Sequence, residues 1–376
     1  MKFIIAPDSY KESLSALEVA KAIEQGVKKV FPQSETLCLP IADGGEGTLD
    51  AIKQNIPTSK TMTLDVMQAN GVQAPASYLL LDDNTAVIEI AQSSGLQQIP
   101  KSERNPFLAT SYGTGQLMQH ALQQQVTNFI IALGGSACND AGAGLLQALG
   151  IKFLDDKQKE IPVGNSGLAE IATIDFGTVR DTFKNINIAI LTDVDNQLFG
   201  PHGATYVFGK QKGATPSDLP ILDHNIKHFS QKIEAILGKT FHHIAGSGAA
   251  GGLGFALQVL NDTVTIHSGI EYILDLIHFE NYLPNTTLVL TGEGGTDFQT
   301  AHGKAPIGVV KKAQKYNIPT IIISGKVEGD LSELYDAGVV SAHSVLHTIS
   351  TLEDALQNAK SNITYTTEAI IRTRFL

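Results

Sequence analysis

Four loops rich in Gly, Asp and Ser hold most of the side chains in this sequence that could do chemistry. They cover residues 8–13, 43–48, 134–144 and 292–299, and each follows a short apolar run typical of a buried strand. Glycines let backbone N–H groups approach phosphate oxygens closely, and the N-terminus of a following helix favours negative charge. A single Gly-rich turn is more often only a tight connection, whereas four of them favour a binding site for a phosphate-like anion.

The same loops contain carboxylates and cations of the kind that phosphoryl transfer requires. Such a reaction needs one or two carboxylates on Mg²⁺, cations on the phosphates and a base near the attacking hydroxyl. Asp is also common at loops and helix starts because it caps helices, so a single Asp decides little. We predict substrate- or phosphate-binding roles for Asp8, Ser9, Ser13, Asp43, Gly44, Gly45, Glu46, Gly134, Gly135, Ser136, Asn139, Asp140, Gly292, Glu293, Gly294, Asp297 and Lys304.

None of the loops matches a standard nucleotide-binding motif. No loop ends in Gly-Lys-Ser/Thr, as a P-loop does, and GGSACNDAGAG is a poor match to the GxGxxG dinucleotide fingerprint. The GAAGGLG segment at residues 248–254 follows no clear strand. The motifs alone therefore predict an anion site and leave the ligand open.

The loops need a scaffold, and the pattern of apolar runs predicts an α/β one. Short apolar strands that alternate with helices are typical of a doubly wound parallel sheet, in which such loops lie together at the carboxyl edge. Residues 61–90 instead alternate as antiparallel strands do, and residues 217–237 look helical. The strands that precede loops are expected at residues 2–6, 36–39, 129–133, 287–290 and 320–323.

Two helices have marked ends. Ser15 and Glu18 have capping-box spacing, which predicts the start of a helix that continues to about Val30. A second helix is expected from near Asn139, and Gly150 is a suitable stop for it.

Composition limits the class of protein. The 376 residues are 43% hydrophobic, which suits two domains with sizeable cores. The net charge of −11 argues against nucleic acid or an anionic membrane as the main partner, and small molecules are expected instead. No apolar run approaches ~18 residues, and the chain starts directly with a strand. We therefore expect a cytoplasmic protein, and a homo-oligomer stays open.

Six segments of unusual content resemble the class I bacterial glycerate kinases, in the same order and over essentially the whole chain. The first three segments lie in the first three loops, and the last covers the fourth loop and the helix start beyond it. The segments are APDSYKESLSA from Ala6, PIADGGEGT from Pro40, LGGSACNDAGAG from Leu133, TDVDNQLFGPHGA from Thr192, GAAGGLG from Gly248 and TGEGGTDFQTAHGKAPIGV from Thr291.

The resemblance implies a kinase that uses ATP and Mg²⁺ to phosphorylate D-glycerate, with 2-phosphoglycerate as the usual product. It also implies two α/β domains, one Rossmann-like with a parallel sheet and one inserted with a mixed sheet, with the active site in the cleft between them. From the strand pattern we assign residues 1–60, 128–150 and 286–376 to the first domain. Residues 61–127 and 151–285 are assigned to the inserted domain.

Within that framework, we predict catalytic roles for Lys11 and Asp193. Lys11 follows the first strand and would bind phosphate oxygens, helped by Ser13 and the backbone around Ser136. Asp193 follows an apolar strand, so it should be rigid and partly desolvated near the reacting hydroxyl. Asp195 is predicted to bind the metal, although the sequence does not separate the roles of the two carboxylates.

Gly295 departs from the family pattern, in which an Arg usually follows the TGEG turn. Lys304 is the nearest cation in sequence, and we expect it to supply the missing positive charge. Three other functions stay open. They are a kinase for another small hydroxy-carboxylic acid, a two-domain ligand-binding protein without catalysis, and a nicotinamide-dependent dehydrogenase, which the poor GxGxxG match disfavours.

Overall fold

The computed structural model describes all 376 residues, which form an α/β protein with fifteen strands and fourteen α-helices. The strands are β1 Lys2–Ile5, β2 Glu35–Cys38, β3 Lys60–Met67, β4 Gln73–Leu80, β5 Thr85–Glu89, β6 Asn128–Ala132, β7 Lys152–Leu154, β8 Thr173–Asp175, β9 Asn187–Leu191, β10 Thr265–His267, β11 Leu288–Thr291, β12 Gly295–Thr296, β13 Thr320–Ser324, β14 Lys326–Val327 and β15 Val339–Ser344.

The α-helices are α1 Ala16–Val30, α2 Thr48–Asn55, α3 Ala91–Ser94, α4 Tyr112–Gln123, α5 Ala143–Leu149, α6 Val179–Phe183, α7 Ala204–Phe208, α8 Leu219–Leu237, α9 Ala249–Leu260, α10 Gly269–Leu276, α11 Ala305–Gln314, α12 Ser332–Asp336, α13 Leu352–Gln357 and α14 Ala359–Phe375. Short 3-10 helices cover Leu96–Gln98, Lys101–Glu103, Asn165–Glu170, Lys210–Lys212, Phe279–Tyr282 and Phe298–Ala301. No helix is both long and apolar enough to span a bilayer.

The chain forms two compact units, and the first contains Met1–Asp43, Asp50–Pro57 and Ser268–Leu376. Its sheet has five strands in the order β15-β13-β11-β1-β2, and every neighbouring pair is parallel. The strands expected near residues 3, 37, 288 and 321 are thus confirmed in one parallel sheet.

Both faces of this sheet are buried, because successive apolar side chains of its strands pack against helices on opposite sides. Phe3 and Ile5 pack with α1 and α14, whereas Ile4, between them, packs with α10 and α11. Because successive side chains of a strand point to opposite faces, a sheet with helices on both sides needs apolar residues at every position. That requirement explains the continuous apolar runs in the sequence.

Helix α1 of the first unit begins as the sequence predicts. The Ser15 hydroxyl accepts a hydrogen bond from the Glu18 N–H, and the Glu18 carboxylate accepts one from the Ser15 N–H. This reciprocal arrangement satisfies two N–H groups that have no partner within the helix. The capping box and the helical end at Val30 are both confirmed.

The second unit contains Gly44–Leu49 and Thr58–His267. Its main sheet has six strands in the order β10-β9-β6-β5-β4-β3. Strands β10, β9, β6 and β5 are parallel, whereas β4 pairs antiparallel with both β3 and β5. The antiparallel pattern predicted for residues 61–90 is therefore confirmed, and the sheet is mixed.

One placement expected from the sequence is wrong. The apolar pattern of β6, near residue 130, predicts a strand of the first sheet, yet β6 pairs with β5 and β9 in the second. Consequently the loop at residues 134–144 does not share a sheet edge with the loops that follow β1 and β11. Both sheets contain parallel strands that are buried on two faces, so the apolar pattern alone could not distinguish between them.

Other local predictions for the second unit hold. Helix α8 covers the stretch that looks helical, and α5 stops at Gly150, which has a left-handed φ of 109°. Helix α5 starts at Ala143, later than expected, because the chain from Asn139 to Gly142 is a turn.

Candidate functional site

A cavity of about 480 Å³ lies in the first unit, at the carboxyl edge of its parallel sheet. Its walls come from the loops after β1, β11, β13 and β15, together with Asp43, Lys304 and helices α13 and α14. Parallel strands all end at the same edge, which is why loops far apart in sequence meet there. Eight of the candidate residues line this cavity, namely Asp8, Ser9, Lys11, Ser13, Asp43, Glu293, Gly294 and Lys304.

Backbone hydrogen bonds hold the loops of the cavity against one another. The Asp8 N–H donates to the Gly292 carbonyl at 2.9 Å, and the Lys326 N–H donates to the Gly294 carbonyl at 3.1 Å. A Cβ at Gly292 would lie 1.7 Å from the carbonyl oxygen of Ile323, so only glycine allows this approach. Gly292 therefore has a packing role at the end of β11, and it does not line the cavity.

The first loop is a tight turn that is fixed at both ends. Tyr10 and Leu14 exchange two backbone hydrogen bonds of 2.9 Å, and the buried Tyr10 hydroxyl donates to the Ile323 carbonyl at 2.7 Å. Glu12, within the turn, has a left-handed φ of 65°. The Lys11 side chain is exposed beside it. This rigid turn presents Lys11 at the edge of the cavity.

Asp8 is the carboxylate with the most unusual electrostatics in the cavity. Desolvation and repulsion from Asp43 raise the pKa of Asp8 to about 8, although the Ser9 N–H, at 2.6 Å from Asp8 Oδ1, and the Lys11 ammonium favour the charged form. Repulsion from Glu293 adds to the increase. A cation bound here would relieve this repulsion.

Glu293 and Lys304 form a second charged group at the cavity. Burial raises the pKa of Glu293, while the Thr300 hydroxyl, which donates to Glu293 at 2.6 Å, and Lys304 act in the opposite direction. The Lys304 ammonium lies 3.5 Å from Glu293 Oε2 and 3.3 Å from Asp297 Oδ1. Its charge is thus shared between two carboxylates, and Asp297 lies behind Lys304 outside the cavity lining.

Lys326 lines the cavity too, and the sequence interpretation missed it. Strands β12 and β14 pair Gly295 with Lys326, and a Cβ at Gly295 would lie 3.2 Å from Lys326 Cε. The Lys326 ammonium forms an exposed ion pair with Glu328 at 2.7 Å. The sequence did offer one signal for Lys326. It lies in the loop SGKVEG, which directly follows a buried strand as the other candidate loops do.

The donor set of the cavity suits a magnesium–phosphate complex better than an isolated metal ion. No three His, Cys, Asp or Glu side chains are arranged to hold a metal together. Mg²⁺ in kinases usually needs only one or two carboxylates, with phosphate oxygens and waters as the remaining ligands. The mutually repelling Asp8 and Asp43 fit that requirement.

In the second unit, the loop after β6 packs against the glycines that begin this unit. The Gly134 N–H donates to the Gly44 carbonyl at 3.1 Å, and a Cβ at Gly134 would lie 2.3 Å from Gly45 Cα. Gly135 continues the loop with a left-handed φ of 76°. Glu46 is exposed nearby in sequence. These glycines bring two of the predicted phosphate-binding loops into direct contact.

A buried lysine supports this loop, and no motif in the sequence indicates it. The Lys212 ammonium donates to Ser136 Oγ at 2.9 Å and to the Cys138 carbonyl at 2.7 Å. Burial lowers the pKa of Lys212, while the neighbouring Cys138 and Asp140 favour its charged form. The Ser136 hydroxyl oxygen therefore accepts a hydrogen bond from Lys212, and its own O–H can still rotate to donate to another group.

Asn139 and Asp140 lie in the interior of the second unit. The Asp140 carboxylate accepts hydrogen bonds from the N–H groups of Ser111, Gly142 and Gly144, and burial raises its pKa against their effect. The Asn139 amide donates to the Thr205 hydroxyl at 3.0 Å. Both side chains are fully buried and shape the loop. Direct contact of Asn139 and Asp140 with a ligand stays a prediction. Their buried hydrogen bonds suit residues that fix the shape of the loop.

The GAAGGLG segment is explained by the same loop. Gly251 and Gly252 have left-handed φ values of 70° and 99°, and a Cβ on Gly251 would lie 2.1 Å from the Cys138 carbonyl oxygen. The Ala141 N–H donates to the Gly251 carbonyl at 2.9 Å. The glycines therefore allow the backbone at the start of α9 to lie directly on the loop.

Asp193 and Asp195 follow β9 in the second unit, as expected, but both side chains are exposed. The chain leaves the sheet at Leu191, so both carboxylates lie on the connecting loop, and partial desolvation of Asp193 stays a prediction. His202, on the same connection, is exposed, and its carbonyl accepts from the Asn196 amide at 2.8 Å. The catalytic and metal-binding roles of these residues stay predictions.

The fold and the cavity define an α/β protein with a site suited to a phosphorylated small molecule. The family model described as the glycerate kinase family matches residues 3–374. A glycerate kinase of Bacillus subtilis is 44% identical over 360 residues, which is 96% of this chain and 94% of that protein. The glycerate 2-kinase of Escherichia coli is 42% identical over 364 residues, covering 96% of this chain and 95% of the relative.

A solved structure gives the same result. The crystal structure given as glycerate kinase 2 from Salmonella typhimurium LT2 has a TM-score of 0.86 and 43% identity, and the match covers 99% of this chain and 98% of that one. The chain belongs to the glycerate kinase family. The resemblance, the α/β fold and the enzyme class predicted from the sequence are therefore confirmed. The protein is a kinase, its substrates are small molecules, and ATP is its co-substrate.

Proposed function

We propose that this kinase transfers the γ-phosphoryl group of ATP to the 2-hydroxyl of D-glycerate, giving 2-phosphoglycerate and ADP. The observation that carries the proposal is the charged end of the cavity, where Lys11 acts on the Asp8–Asp43 pair and Lys326 lines the same cavity. A polyphosphate needs cations, and the carboxylates beside them need a divalent ion to make phosphate binding favourable. Family membership supplies glycerate as the acceptor.

In this proposal the first loop binds and orients the phosphates. Lys11 is held on a rigid turn, so its ammonium is preorganised for the charge that develops during transfer. The Ser13 hydroxyl is already committed, because it donates to the Leu356 carbonyl at 3.1 Å. The Ser13 N–H is committed as well, since it donates to the Tyr10 carbonyl at 2.9 Å. Ser13 therefore contributes to the cavity by fixing the loop, and its contact with phosphate stays a prediction.

Asp8 and Asp43 are the residues that would hold Mg²⁺. When bound, Mg²⁺ would supply positive charge that offsets the negative charge of the phosphates. Without it, the pKa of Asp8 of about 8 keeps this carboxyl mostly protonated at neutral pH. Asp195 stays the alternative metal ligand from the sequence. Asp193 stays our prediction for the residue near the reacting hydroxyl, and a cytoplasmic location also stays a prediction.

Release of ADP tests the proposal directly. Purified protein with ATP and Mg²⁺ should release ADP only when D-glycerate is present, and L-glycerate and tartronate serve as acceptor controls. If none of the three acids increases the release of ADP, a ligand-binding protein without glycerate kinase activity would be the better description. Faster release with another hydroxy acid than with D-glycerate would instead change the substrate and keep the kinase class.

A further inference from the structure

The cavity of the first unit has two chemically different halves. Its charged half is formed by the loops after β1, β11 and β13, with Lys11, Lys304 and Lys326 as cations. The other half is apolar and comes from the chain after β15 and from helices α13 and α14. The residues of this apolar half are Val345, Leu346, Leu352, Ala355, Leu356 and Ala359.

The apolar half does not suit the acceptor substrate. Glycerate is a three-carbon acid with a carboxylate and two hydroxyls, so it gains little from a wall of leucine and alanine. A volume of about 480 Å³ is also large for such a molecule. Cavities of ~300–1,000 Å³ with an apolar lining and a few polar groups at one place are typical of larger ligands.

The leucines of this half are poorly covered by the protein itself. Leu352 is 72% exposed and Leu346 is 44% exposed, although both lie on the cavity wall. Exposed apolar side chains are common singly, but their convergence on a concave wall marks a surface that a ligand covers. A flat apolar group placed between them would remove this surface from water.

Hydrogen bonds hold the apolar half at a fixed place beside the charged half. The Val345 N–H donates to the Ser324 carbonyl at 2.9 Å, and the Ser344 hydroxyl donates to the Gly325 carbonyl at 3.1 Å. On the other side, Ser13 in the first loop donates to the Leu356 carbonyl of α13 at 3.1 Å. One ligand with an apolar end and an anionic end therefore matches both halves together.

We propose that the apolar half is the purine subsite of this enzyme, so that the base of ATP lies against Leu346, Leu352 and Leu356. The phosphates then extend toward Lys11 and Lys326 at the charged half. The inference rests on the proposed function for the identity of the nucleotide, and it adds where the nucleotide binds. It also gives Ser13 a function, because its hydrogen bond to α13 sets the distance between the base and the phosphates.

Two probes separate contacts with the base from contacts with the phosphates. ADP carries both groups, whereas inorganic tripolyphosphate carries only the anionic one. Calorimetric titration measures the affinity for each probe in the presence of Mg²⁺. It is carried out on the full-length wild type and on the variants Leu346→Gln and Leu352→Gln. These substitutions add no charge, and both residues are exposed enough for the variants to fold. Ile349→Gln is the matched control, since Ile349 is fully exposed on the same connection but does not line the cavity.

The expected result is a loss of ADP affinity of about tenfold in each leucine variant, from the apolar contact that is lost. Tripolyphosphate should bind these variants within about twofold of the wild type, and Ile349→Gln should bind both probes normally. Unchanged ADP affinity in both leucine variants would overturn the inference. An equal loss of tripolyphosphate affinity would also overturn it, since the leucines would then only support the phosphate loops. Wild-type protein that binds no ADP would overturn it as well.

Failure of the proposed function is distinguishable from failure of this inference. If the wild-type protein releases no ADP with D-glycerate, yet the leucine variants lose ADP affinity alone, the purine subsite holds and the acceptor is wrong. If D-glycerate supports turnover but the leucine variants bind ADP normally, the kinase holds and the base binds elsewhere.

Discussion

The side chain of Lys326 lies directly over Gly295, so that a Cβ at Gly295 would contact Lys326 Cγ at 3.3 Å and Cε at 3.2 Å. The backbone of Gly295 is not in the left-handed region, and it pairs with Lys326 as part of two short parallel strands. The Lys326 side chain thus lies beside the position at which the resemblance implies an Arg. Both candidate lysines are ion-paired, Lys326 with Glu328 alone and Lys304 with two carboxylates. We therefore infer that Lys326 is the better substitute for that Arg.

The first prediction concerns this exchange. Gly295→Arg should fold, because only the flexible Lys326 side chain must move, and its melting temperature should stay within a few degrees of the wild type. Lys326→Ala should raise the KM for ATP several-fold, or about 1 kcal/mol, and Gly295→Arg should restore it in the double variant. Glu328→Gln is the control for loss of the ion pair. If the KM for ATP of the double variant is no lower than that of Lys326→Ala, an Arg at position 295 does not replace Lys326.

Lys304 has a different expected effect. Lys304→Ala should raise KM on the order of tenfold, about 1.4 kcal/mol, because the carboxylates of Glu293 and Asp297 would then repel the phosphates. The triple change Lys304→Ala, Glu293→Gln and Asp297→Asn should therefore recover much of that loss. Initial rates at varied ATP concentration measure both effects. Normal KM values for ATP and glycerate in Lys304→Ala contradict a role for its charge.

The raised pKa of Asp8 predicts a dependence of stability on pH. The folded protein without ligand holds a proton on Asp8 up to about pH 8, whereas the unfolded chain releases it near its usual 3.8. The stability from this group is therefore full below about pH 4 and is lost as the pH rises to about 8. Asp8→Asn cannot ionise, so its melting temperature should exceed that of the wild type by an increasing margin over this window.

Thermal melts at a series of pH values check this dependence, with the exposed Asp82→Asn as the control. Mg²⁺ with ADP should reduce the slope for the wild type, since a cation beside Asp8 favours its charged form. A margin that is constant with pH would show that Asp8 titrates normally in the folded protein.

Lys11→Ala and Asp193→Asn test the two residues to which we assign catalysis. If each acts on charge that develops during transfer, kcat should decrease by ~10²-fold or more, equivalent to about 3 kcal/mol. Melting temperatures should barely change, because both side chains are exposed. Lys101→Ala, at an exposed site of the second unit, controls for general loss of positive charge. A near-normal kcat in either variant removes that residue from the mechanism.

Local features of this protein could be read from the sequence, because they depend on neighbouring residues. The capping box at Ser15 and Glu18 and the left-handed stop at Gly150 follow from the intrinsic chemistry of their residues. The first loop and the TGEG turn could be identified as well, because four loops of this composition each follow an apolar run. These local signals were sufficient to predict most of the residues in the charged half of the cavity.

Features that depend on distant pairing could not be read in the same way. Lys326 becomes part of the cavity because β12 pairs with β14, and Lys212 becomes buried because its chain folds back onto Ser136, 76 residues away. Strand β6 has the apolar pattern of a buried parallel strand, and two sheets could accept it. The apolar wall at Leu346 and Leu352 carries no motif, since single leucines in a loop and at a helix start do not by themselves indicate a ligand site.

Identification of the product by NMR tests the central claim most directly. The protein is incubated with ATP, Mg²⁺ and carbon-labelled D-glycerate, and phosphorus coupling then shows which carbon bears the new phosphoester. We predict coupling to the 2-position, with ADP formed in equal amount. A phosphoester at the terminal carbon would contradict the 2-kinase assignment, and the absence of any phosphorylated glycerate would contradict glycerate as the acceptor altogether.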